Sequence, residues 1–276
     1  MKRWRFDTGA TVRLAVAVAV VMVLLFPVYW LVVSSLESAL EIFHSPPSLF
    51  PVNPSLSYLG DVLGAQAPHL LTSLIVSVGT VALSLVIAVP AAYALSQLAV
   101  RWTGIVVLAL LVVQMIPQVV LGIPYYLVFE KLRLLNSYEG LILADSSYAV
   151  PFIVIVLRAY LLNIPKELRE ASLVDGAGEL RTLLRVIVPV GAPGIVAGAL
   201  FAFLFAWNDF FFALTLTNTP NIEPMTLSLY LYVGTELQEW NLAMAAAAFA
   251  AIPSVLLVIG AQRYIRGGLT AGSVRG

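Results

Sequence analysis

The sequence contains no cysteine, and it has few charged residues and only two histidines. The absence of cysteine excludes disulfides, thiolate catalysis and cysteine-based metal sites. His44 and His69 lie 25 positions apart without the short spacing typical of metal ligands, so we predict no metal site. Charged residues make up 11% of the chain and apolar residues 61%, with a mean hydropathy of +0.96. One soluble domain could not hide that much apolar surface, so the composition indicates a membrane protein.

Long uncharged runs indicate helices that cross the membrane. Five runs exceed the ~20 residues that a helix needs to cross about 30 Å of hydrocarbon. A sixth, shorter segment carries Asp145 near one end and Arg158 near the other. Unpaired backbone groups are costly in lipid, so helices are expected rather than an open sheet. We therefore predict an all-α membrane protein with one transmembrane domain over 1–276 and six spans, at about 14–36, 70–97, 103–129, 141–162, 186–210 and 240–262.

The basic residues predict how the chain is oriented. If the amino terminus is cytoplasmic, Lys131 and Arg133 are the only two of the 15 basic residues in outer segments. Both termini are therefore expected in the cytoplasm. The net charge of zero gives no nucleic-acid footprint. The cytoplasmic set comprises Lys2, Arg3, Arg5, Arg13, Arg101, Arg158, Lys166, Arg169, Arg181, Arg185, Arg263, Arg266 and Arg275.

Prolines mark a connector and several kinks. The stretch SPPSLFPVNPSLSY, residues 45–58, has four prolines, which forbid a regular helix and predict an extended outer connector. Prolines within the predicted spans each remove a helix hydrogen bond and predict kinks. These prolines are Pro90, Pro117, Pro124, Pro151 and Pro253.

One short segment concentrates the charge. The stretch KELREASLVDGAGELRTLLR, residues 166–185, holds eight of the 30 charged residues. Its charges pair poorly as a solvated helix, because Asp175 with Glu179 and Arg181 with Arg185 place like charges one turn apart. Two nearby glycines, at 176 and 178, would each cost ~1 kcal/mol inside a helix. We predict two short helices joined by a bend, forming a docking surface for a partner.

This segment resembles a family signature. It reads E-A-S, three residues, Gly176, nine residues and then V-I-V-P, similar to the EAA-x3-G-x9-I-x-L-P signature of binding-protein-dependent ABC importer permeases. The string IPKELREASLVDGA resembles the carbohydrate-importer branch, whose version is IPKELEEAA-x-x-DGA. Similar strings are AAYALS at 91–96, IPYYLV at 123–128, WNDFFFAL at 207–214 and GGLTAGSVRG at 267–276, the last like the tail of the maltose importer's smaller permease.

The resemblance implies partners and a docking site. Residues 165–182 would form coupling helices that fit a groove on a nucleotide-binding subunit, with Glu170 facing that ATPase and Gly176 allowing the turn. For Asp175 and Ala177, local capping or packing is an equally open alternative. Ser172 replaces the family's second alanine, and Leu183 stands where an aromatic residue is usual. The expected docking residues are Glu170, Ala171, Ser172, Asp175, Gly176, Ala177 and Leu183.

The resemblance implies an assembly with four further protein chains. They are a sister permease, two ATPase subunits and an extracytoplasmic solute-binding protein. The assembly would lie in the bilayer of a prokaryotic plasma membrane. The tail over 263–276 would insert between the ATPase subunits. This chain lacks a GxxxxGK[ST] phosphate loop, so it needs no cofactor of its own, and ATP with magnesium is expected on the partner ATPase. No histidine lies deep enough to activate a nucleophile in the membrane, so we predict a transport subunit and no enzyme.

The translocation path is expected to carry a neutral solute. No lysine or arginine lies near the middle of a predicted span, which suits a sugar or polyol better than an anion. Amides and a carboxylate bind hydroxyl groups and an indole face suits a sugar ring. The alternatives are bonds between helices for the glutamines and a place at the membrane interface for the others. The path candidates are Gln114, Gln118, Trp207, Asn208 and Asp209.

The sequence is compatible with several solutes and with more than one type of transporter. Trehalose, maltose, monosaccharides and polyols are all compatible with the path. A permease of the same type for a solute other than a sugar is one alternative. A stand-alone secondary transporter or channel is another, because six kinked helices could serve either function.

Overall fold

The computed structural model describes residues 8–235 and 240–271, and every regular element in these ranges is helical. The predicted all-α class is confirmed for this part of the chain. Lys2, Arg3, Arg5, Arg275, Glu236 and Glu239, and the tail beyond Ala271, lie outside the described residues. The helices in the first half are α1 Thr8–Leu36, α2 Ala39–Ile42, α3 Ser57–Gln97, α4 Thr103–Gln114, α5 Gln118–Lys131 and α6 Tyr138–Leu161. Those in the second half are α7 Lys166–Val174, α8 Glu179–Thr182, α9 Val188–Val190, α10 Ala192–Asn208, α11 Phe211–Leu216, α12 Met225–Thr235 and α13 Trp240–Ala271.

Four single helices are long and apolar enough to cross a membrane. They are Thr11–Leu36, Val62–Gln97, Tyr138–Leu161 and Trp240–Gln262. Two bent pairs also qualify when each pair is counted as one span, which gives up to six spans among the described residues. Helices satisfy their own backbone hydrogen bonds, so these segments meet the main requirement of a lipid environment.

Two of the predicted spans, at 103–129 and 186–210, are bent pairs of helices rather than single helices. α4 and α5 are separated at 115–117 and meet at 95°, and Glu179–Val190 meets α10 at 83°. The first break coincides with Pro117, which has no N–H to donate and restricts the residue before it. At the second break Gly191 stands between the two helices, and its N–H closes the last turn on the Ile187 carbonyl, 2.7 Å away.

Among the described residues, one compact unit falls within Met1–Gln66 and Leu229–Ala251. Within it the proline-rich connector has no helix between residues 43 and 56 and is held by side-chain hydrogen bonds. Ser48 donates to Glu37 at 2.7 Å, and Asn53 donates to Glu41 at 2.9 Å. Ser38 and Glu41 cap α2 reciprocally. Hydrogen bonds from the Ser38 backbone and from Asn53 lower the pKa of the Glu41 carboxyl.

Among the described residues, the second unit falls within Ala67–Ser228 and Ile252–Gly276, and α6 is the most buried of the four single helices long enough to cross a membrane. α6 packs against α4, α10 and α11, and α11 also packs against α5. Three apolar clusters follow the length of α6. The clusters contain Val76, Leu141, Ala144, Phe212 and Leu216; Ala88, Leu95, Ala149, Ile153, Val154 and Ala202; and Ala92, Tyr93, Leu157, Leu161, Ile164, Leu183 and Ile187.

Gly194 and Gly198 allow α10 to approach α6 closely. A Cβ atom added at Gly194 would lie 2.7 Å from Tyr160 Cγ, and one at Gly198 would lie 2.9 Å from Ile153 Cγ2. Small residues four apart are a common means of close helix packing in membranes. This pair therefore fixes the contact between α6 and α10.

Candidate functional site

The charged segment forms a helical hairpin, defined here as residues 166–182. α7 starts directly after Pro165, whose fixed φ suits a helix start, and α8 begins after Gly178. The chain continues from α8 into a π-helical turn, Leu183–Ile187, and then into α9. The hairpin therefore joins α6 to the bent pair that ends in α10.

Gly176 makes the bend between α7 and α8. Its φ is +83°, a backbone conformation that residues with a Cβ rarely adopt. Its N–H donates to the Leu173 carbonyl at 3.0 Å, and the Ala177 N–H donates to the Ser172 carbonyl at 3.0 Å. These two bonds form a Schellman motif, which satisfies carbonyls at the end of α7.

Side chains hold α7 against α8. Arg169 forms an ion pair with Glu179, and its Nε donates to Glu179 Oε2 at 3.2 Å. This hydrogen bond is the main cause that raises the pKa of the Arg169 guanidinium. Ser172 Oγ lies 3.0 Å from Thr182 Oγ1, and Thr182 is fully buried. Ser172 therefore joins the two helices of the hairpin instead of facing outward.

Four of the seven expected docking residues lie exposed on the hairpin: Glu170, Ala171, Asp175 and Gly176. Ala177, like Ser172, is half-buried. Leu183 is not on this surface, because it is 5% exposed and packs in the cluster with Leu161 and Ile187. Its packing holds the end of the hairpin, at residue 182, against the apolar core.

Two apolar residues on the hairpin were not predicted as docking residues. Val174 is 88% exposed and Leu180 is 69% exposed. Large apolar side chains that are exposed on a charged segment make that segment a candidate contact surface for another protein. Both residues stand among the charged residues of the hairpin, so the sequence offered a signal for them.

A cavity of about 440 Å³ brings together three of the five path candidates. Gln118 lies at the start of α5, and Asn208 and Asp209 lie at the end of α10. The rest of the lining is apolar and mostly aromatic, and these aromatic residues were not predicted. The apolar lining residues are Phe201, Leu204, Phe205, Phe210 and Phe211.

The polar groups of this cavity are partly engaged. The Asn208 amide donates to the Leu204 carbonyl at 2.7 Å. Asp209 is buried, and its carboxylate accepts from the Phe212 N–H at 3.4 Å and the Ala213 N–H at 3.0 Å, which caps α11. An amide retains acceptor and donor capacity after one bond, so Gln118 and Asn208 can still bind hydroxyl groups.

The other two path candidates lie elsewhere. Gln114 donates to the Tyr148 carbonyl at 2.7 Å and so links α4 to α6. Trp207 is buried and stacks on Phe203, with ring centroids 5.3 Å apart. Neither residue lines the cavity, and each has a structural role.

A larger groove, about 640 Å³, lies between α3, α10 and α13. All of its lining side chains are apolar, including Leu74, Val78 and Leu256. It offers no side-chain hydrogen bond to a sugar, so it suits lipid or an apolar helix instead. Among the described residues no group of three or more His, Cys, Asp or Glu side chains is arranged for a metal ion.

Comparison with known sequences shows similarity to membrane components of transport systems. The pattern of the family described as "Binding-protein-dependent transport system inner membrane component" matches residues 84–270. The chain is 30% identical over 273 residues to the sulfoquinovosyl glycerol transport system permease protein SmoH of Agrobacterium fabrum, covering 98% of this chain and 96% of that protein. It is 33% identical to the diacetylchitobiose uptake system permease protein DasC of Streptomyces coelicolor, with 94% and 95% covered. It is 30% identical to the trehalose/maltose transport system permease protein MalG of Thermococcus litoralis, with 94% and 95% covered.

Comparison with solved structures shows the same fold. A chain from the crystal structure of a bacterial ABC transporter that imports the acidic polysaccharide alginate superposes with a TM-score of 0.78. The superposition covers 94% of this chain and 98% of that chain, at 23% sequence identity.

Proposed function

Since this chain belongs to the family of binding-protein-dependent transport system inner membrane components, we propose that it is one of two permease subunits of an ATP-driven sugar importer. Proteins of this family are multi-pass membrane components of ABC importers and are transport subunits rather than enzymes. Beyond membership of this family, we propose where the chain couples to an ATPase, which class of solute it carries and which subunits form the complex.

The hairpin is the observation that carries the proposal. It is a charged, exposed structure in a chain that is otherwise mostly apolar, and it presents Val174 and Leu180 beside Glu170 and Asp175. A surface with this mixture fits a partner groove that has an apolar floor and a basic rim. We assign that groove to a cytoplasmic ATPase subunit.

Coupling then follows from a rigid connection. When two ATPase subunits close around ATP, the hairpins of this chain and of a sister permease are drawn together, which moves the attached membrane helices. The change is reciprocal, so a solute delivered from outside favours closure of the ATPase subunits. The Arg169–Glu179 ion pair and the Gly176 motif keep the hairpin in one shape during this movement.

The cavity supports a neutral sugar or polyol as the solute. Gln118 and Asn208 supply amides, and the phenylalanines supply flat apolar faces that suit the C–H faces of a sugar ring. The relatives SmoH, DasC and MalG are named for sulfoquinovosyl glycerol, diacetylchitobiose and trehalose/maltose, which all contain sugars. We propose that the sister permease forms the opposite wall of the path.

The proposed complex lies in the plasma membrane of a prokaryote. Both termini and the hairpin face the cytoplasm, because basic residues concentrate on that side. Two ATPase subunits that bind ATP and magnesium dock inside, and an extracytoplasmic solute-binding protein docks outside.

Reconstitution with partners tests the proposal. The chain, its sister permease and its ATPase should show ATP-driven sugar uptake in liposomes when the binding protein is present. Glu170→Lys should reduce uptake at least tenfold, because it reverses a charge on the exposed hairpin. Glu130→Lys is a control, because Glu130 is also exposed but lies near the carboxyl end of α5, where a positive charge is favourable.

Two results would contradict the proposal. One is full ATP-driven uptake by the Glu170→Lys complex. The other is uptake by this chain alone under an ion gradient, which would favour a secondary transporter.

A further inference from the structure

The carboxyl-terminal end of α3 is tied directly to the hairpin. Tyr93, in α3, is 4% exposed, and its hydroxyl donates to Glu179 Oε2 at 2.6 Å. The same carboxylate binds Arg169 of α7. One acidic group therefore joins α3, α7 and α8.

A second link lies one turn further along α3. Gln97 is 4% exposed, and its Nε2 donates to the Leu161 carbonyl at 2.7 Å and to the Ile164 carbonyl at 3.2 Å. These carbonyls lie at the end of α6 and in the connection to α7, and the Leu161 carbonyl also accepts from the Ile164 N–H at 3.1 Å. Tyr93 and Gln97 are four residues apart on one face of α3. Tyr93 holds α8 of the hairpin, and Gln97 holds the chain that leads into α7.

Apolar packing surrounds these polar links. Tyr93 lies in the cluster that includes Leu161 and Ile164, before the hairpin, and Leu183 and Ile187, after it. The Tyr93–Glu179 bond is therefore shielded on its α3 side, where breaking it would leave a buried hydroxyl without a partner.

We infer that Tyr93 is a positioning residue that passes the movement of the hairpin to α3 during transport. This inference rests on the proposed function, because it requires a hairpin that moves with an ATPase. A phenol bonded to a carboxylate on the hairpin keeps α3 in a fixed relation to α8. Without the hydroxyl, the hairpin would still dock, but part of its displacement would no longer reach α3.

Tyr93→Phe tests the inference in the reconstituted complex. This substitution keeps the ring in its cluster and removes only the hydroxyl. The amount of sugar taken up per ATP hydrolysed should fall roughly tenfold, the equilibrium factor for one hydrogen bond to a charged group. ATP hydrolysis and copurification of all subunits should stay within about twofold of the wild type, since the docking surface is unchanged. An unchanged uptake-to-ATP ratio would overturn the inference.

Tyr125→Phe is the matched control. Tyr125 also loses one short side-chain hydrogen bond, 2.7 Å to Ser147 Oγ, at a site remote in sequence from the hairpin. Its uptake-to-ATP ratio should equal that of the wild type. An equal loss of the ratio in both variants would mean that hydroxyl removal acts generally, and it would overturn the specific role of Tyr93.

A double-mutant cycle separates transmission from general destabilisation. In a Glu179→Ala background, Tyr93→Phe should change the uptake-to-ATP ratio no further, because the bond is already gone. Additive losses would show that Tyr93 acts independently of Glu179 and would overturn the inference.

A crosslink gives a measurement that does not depend on the stability of Tyr93→Phe. The chain has no cysteine, so Tyr93→Cys with Glu179→Cys can be joined selectively by a short bifunctional maleimide. The crosslink should restore coupling that the uncrosslinked double variant has lost. A crosslink that blocks uptake would show that the two sites separate during the cycle, contrary to the inference.

Different results would refute the proposed function and the role of Tyr93. A wild-type complex without ATP-driven uptake would refute the proposed function. A coupled wild type with a fully coupled Tyr93→Phe variant would refute only the role of Tyr93.

Discussion

At the level of single residues, two neighbouring glycines in the hairpin have different backbone requirements. Gly176 has φ +83°, whereas Gly178 has φ −79° and stands as the residue before α8. An added Cβ would meet no atom within 4 Å at either position, so only the backbone angle distinguishes them.

We expect Gly176→Ser to destabilise the bend by about 1–2 kcal/mol, the cost of placing an L-residue in the left-handed region. Gly178→Ser should be neutral or stabilising, because serine is favoured at the start of a helix. Amide hydrogen exchange over residues 166–182 measures the difference, which should be faster exchange in the first variant only. Equal protection in both variants would contradict the role of the φ angle.

Asn208 provides the second prediction at this level. Asn208→Ala should raise the solute concentration needed for half-maximal uptake roughly fivefold to tenfold, because one hydrogen bond to the solute is lost. Asn163→Ala is the control, since both amides donate to the carbonyl four residues earlier, at 2.7 and 3.1 Å, but Asn163 does not line the cavity. Uptake kinetics at varied solute concentration give the comparison. The path assignment is wrong if the two variants behave alike.

At the level of helices, the prolines show how far the sequence alone could go. All five prolines in the predicted spans were expected to kink a helix, and four of them, Pro90, Pro124, Pro151 and Pro253, lie inside helices that continue through them. Only Pro117 coincides with a full break, where α4 and α5 meet at 95°. A proline removes one hydrogen bond wherever it stands, but neighbouring helices decide whether the chain continues.

The contact between α6 and α10 depends on glycine. Gly194→Ala should destabilise the protein by about 1–3 kcal/mol, because the new methyl group overlaps Tyr160 in a packed site. Gly260→Ala is the control, because its Cβ would meet open space and alanine is favoured in helices by about 1 kcal/mol. Thermal unfolding in detergent should show a lower midpoint for the first variant alone. A midpoint unchanged in Gly194→Ala would mean that the two helices can separate freely.

At the level of the whole chain, the sequence predicted the elements better than it predicted the surfaces. The long apolar runs indicated the membrane helices, and the charges with Gly176 indicated the hairpin. Exposure could not be predicted in the same way. Leu183 is buried and Val174 is exposed, although both are aliphatic residues of one short segment, because tertiary packing and not composition decides which side is covered.

The candidate path shows the same limit. Residue chemistry selected five polar or aromatic candidates, and three of them share one cavity. Gln114 and Trp207 were selected in the same way as the other three, but Gln114 bonds to α6 and Trp207 stacks within α10. The phenylalanines of the cavity could not be distinguished in the sequence from those of the core.

Orientation in the membrane is a prediction about the whole chain. The absence of cysteine makes single substitutions informative. In intact cells, Arg101→Cys should resist a thiol reagent that cannot cross the membrane, whereas Val52→Cys should react, since both positions are exposed and neither is an expected ATPase-docking residue. Permeabilised cells are the control, and both positions should react in them. The opposite labelling pattern would invert the topology.

The π-helical turn at Leu183–Ile187 has a consequence for chain length. A π-turn accommodates about one residue more than an α-turn, so it acts as a one-residue insertion between the hairpin and α10. Deleting Leu184 would let the turn close as ordinary α-helix, with four residues in place of five, so the hairpin would keep its direction relative to α10. A deletion within α10 has no such spare residue and would rotate the preceding chain by about 100°. The connection should therefore tolerate the loss of one residue at this turn far better than within α10.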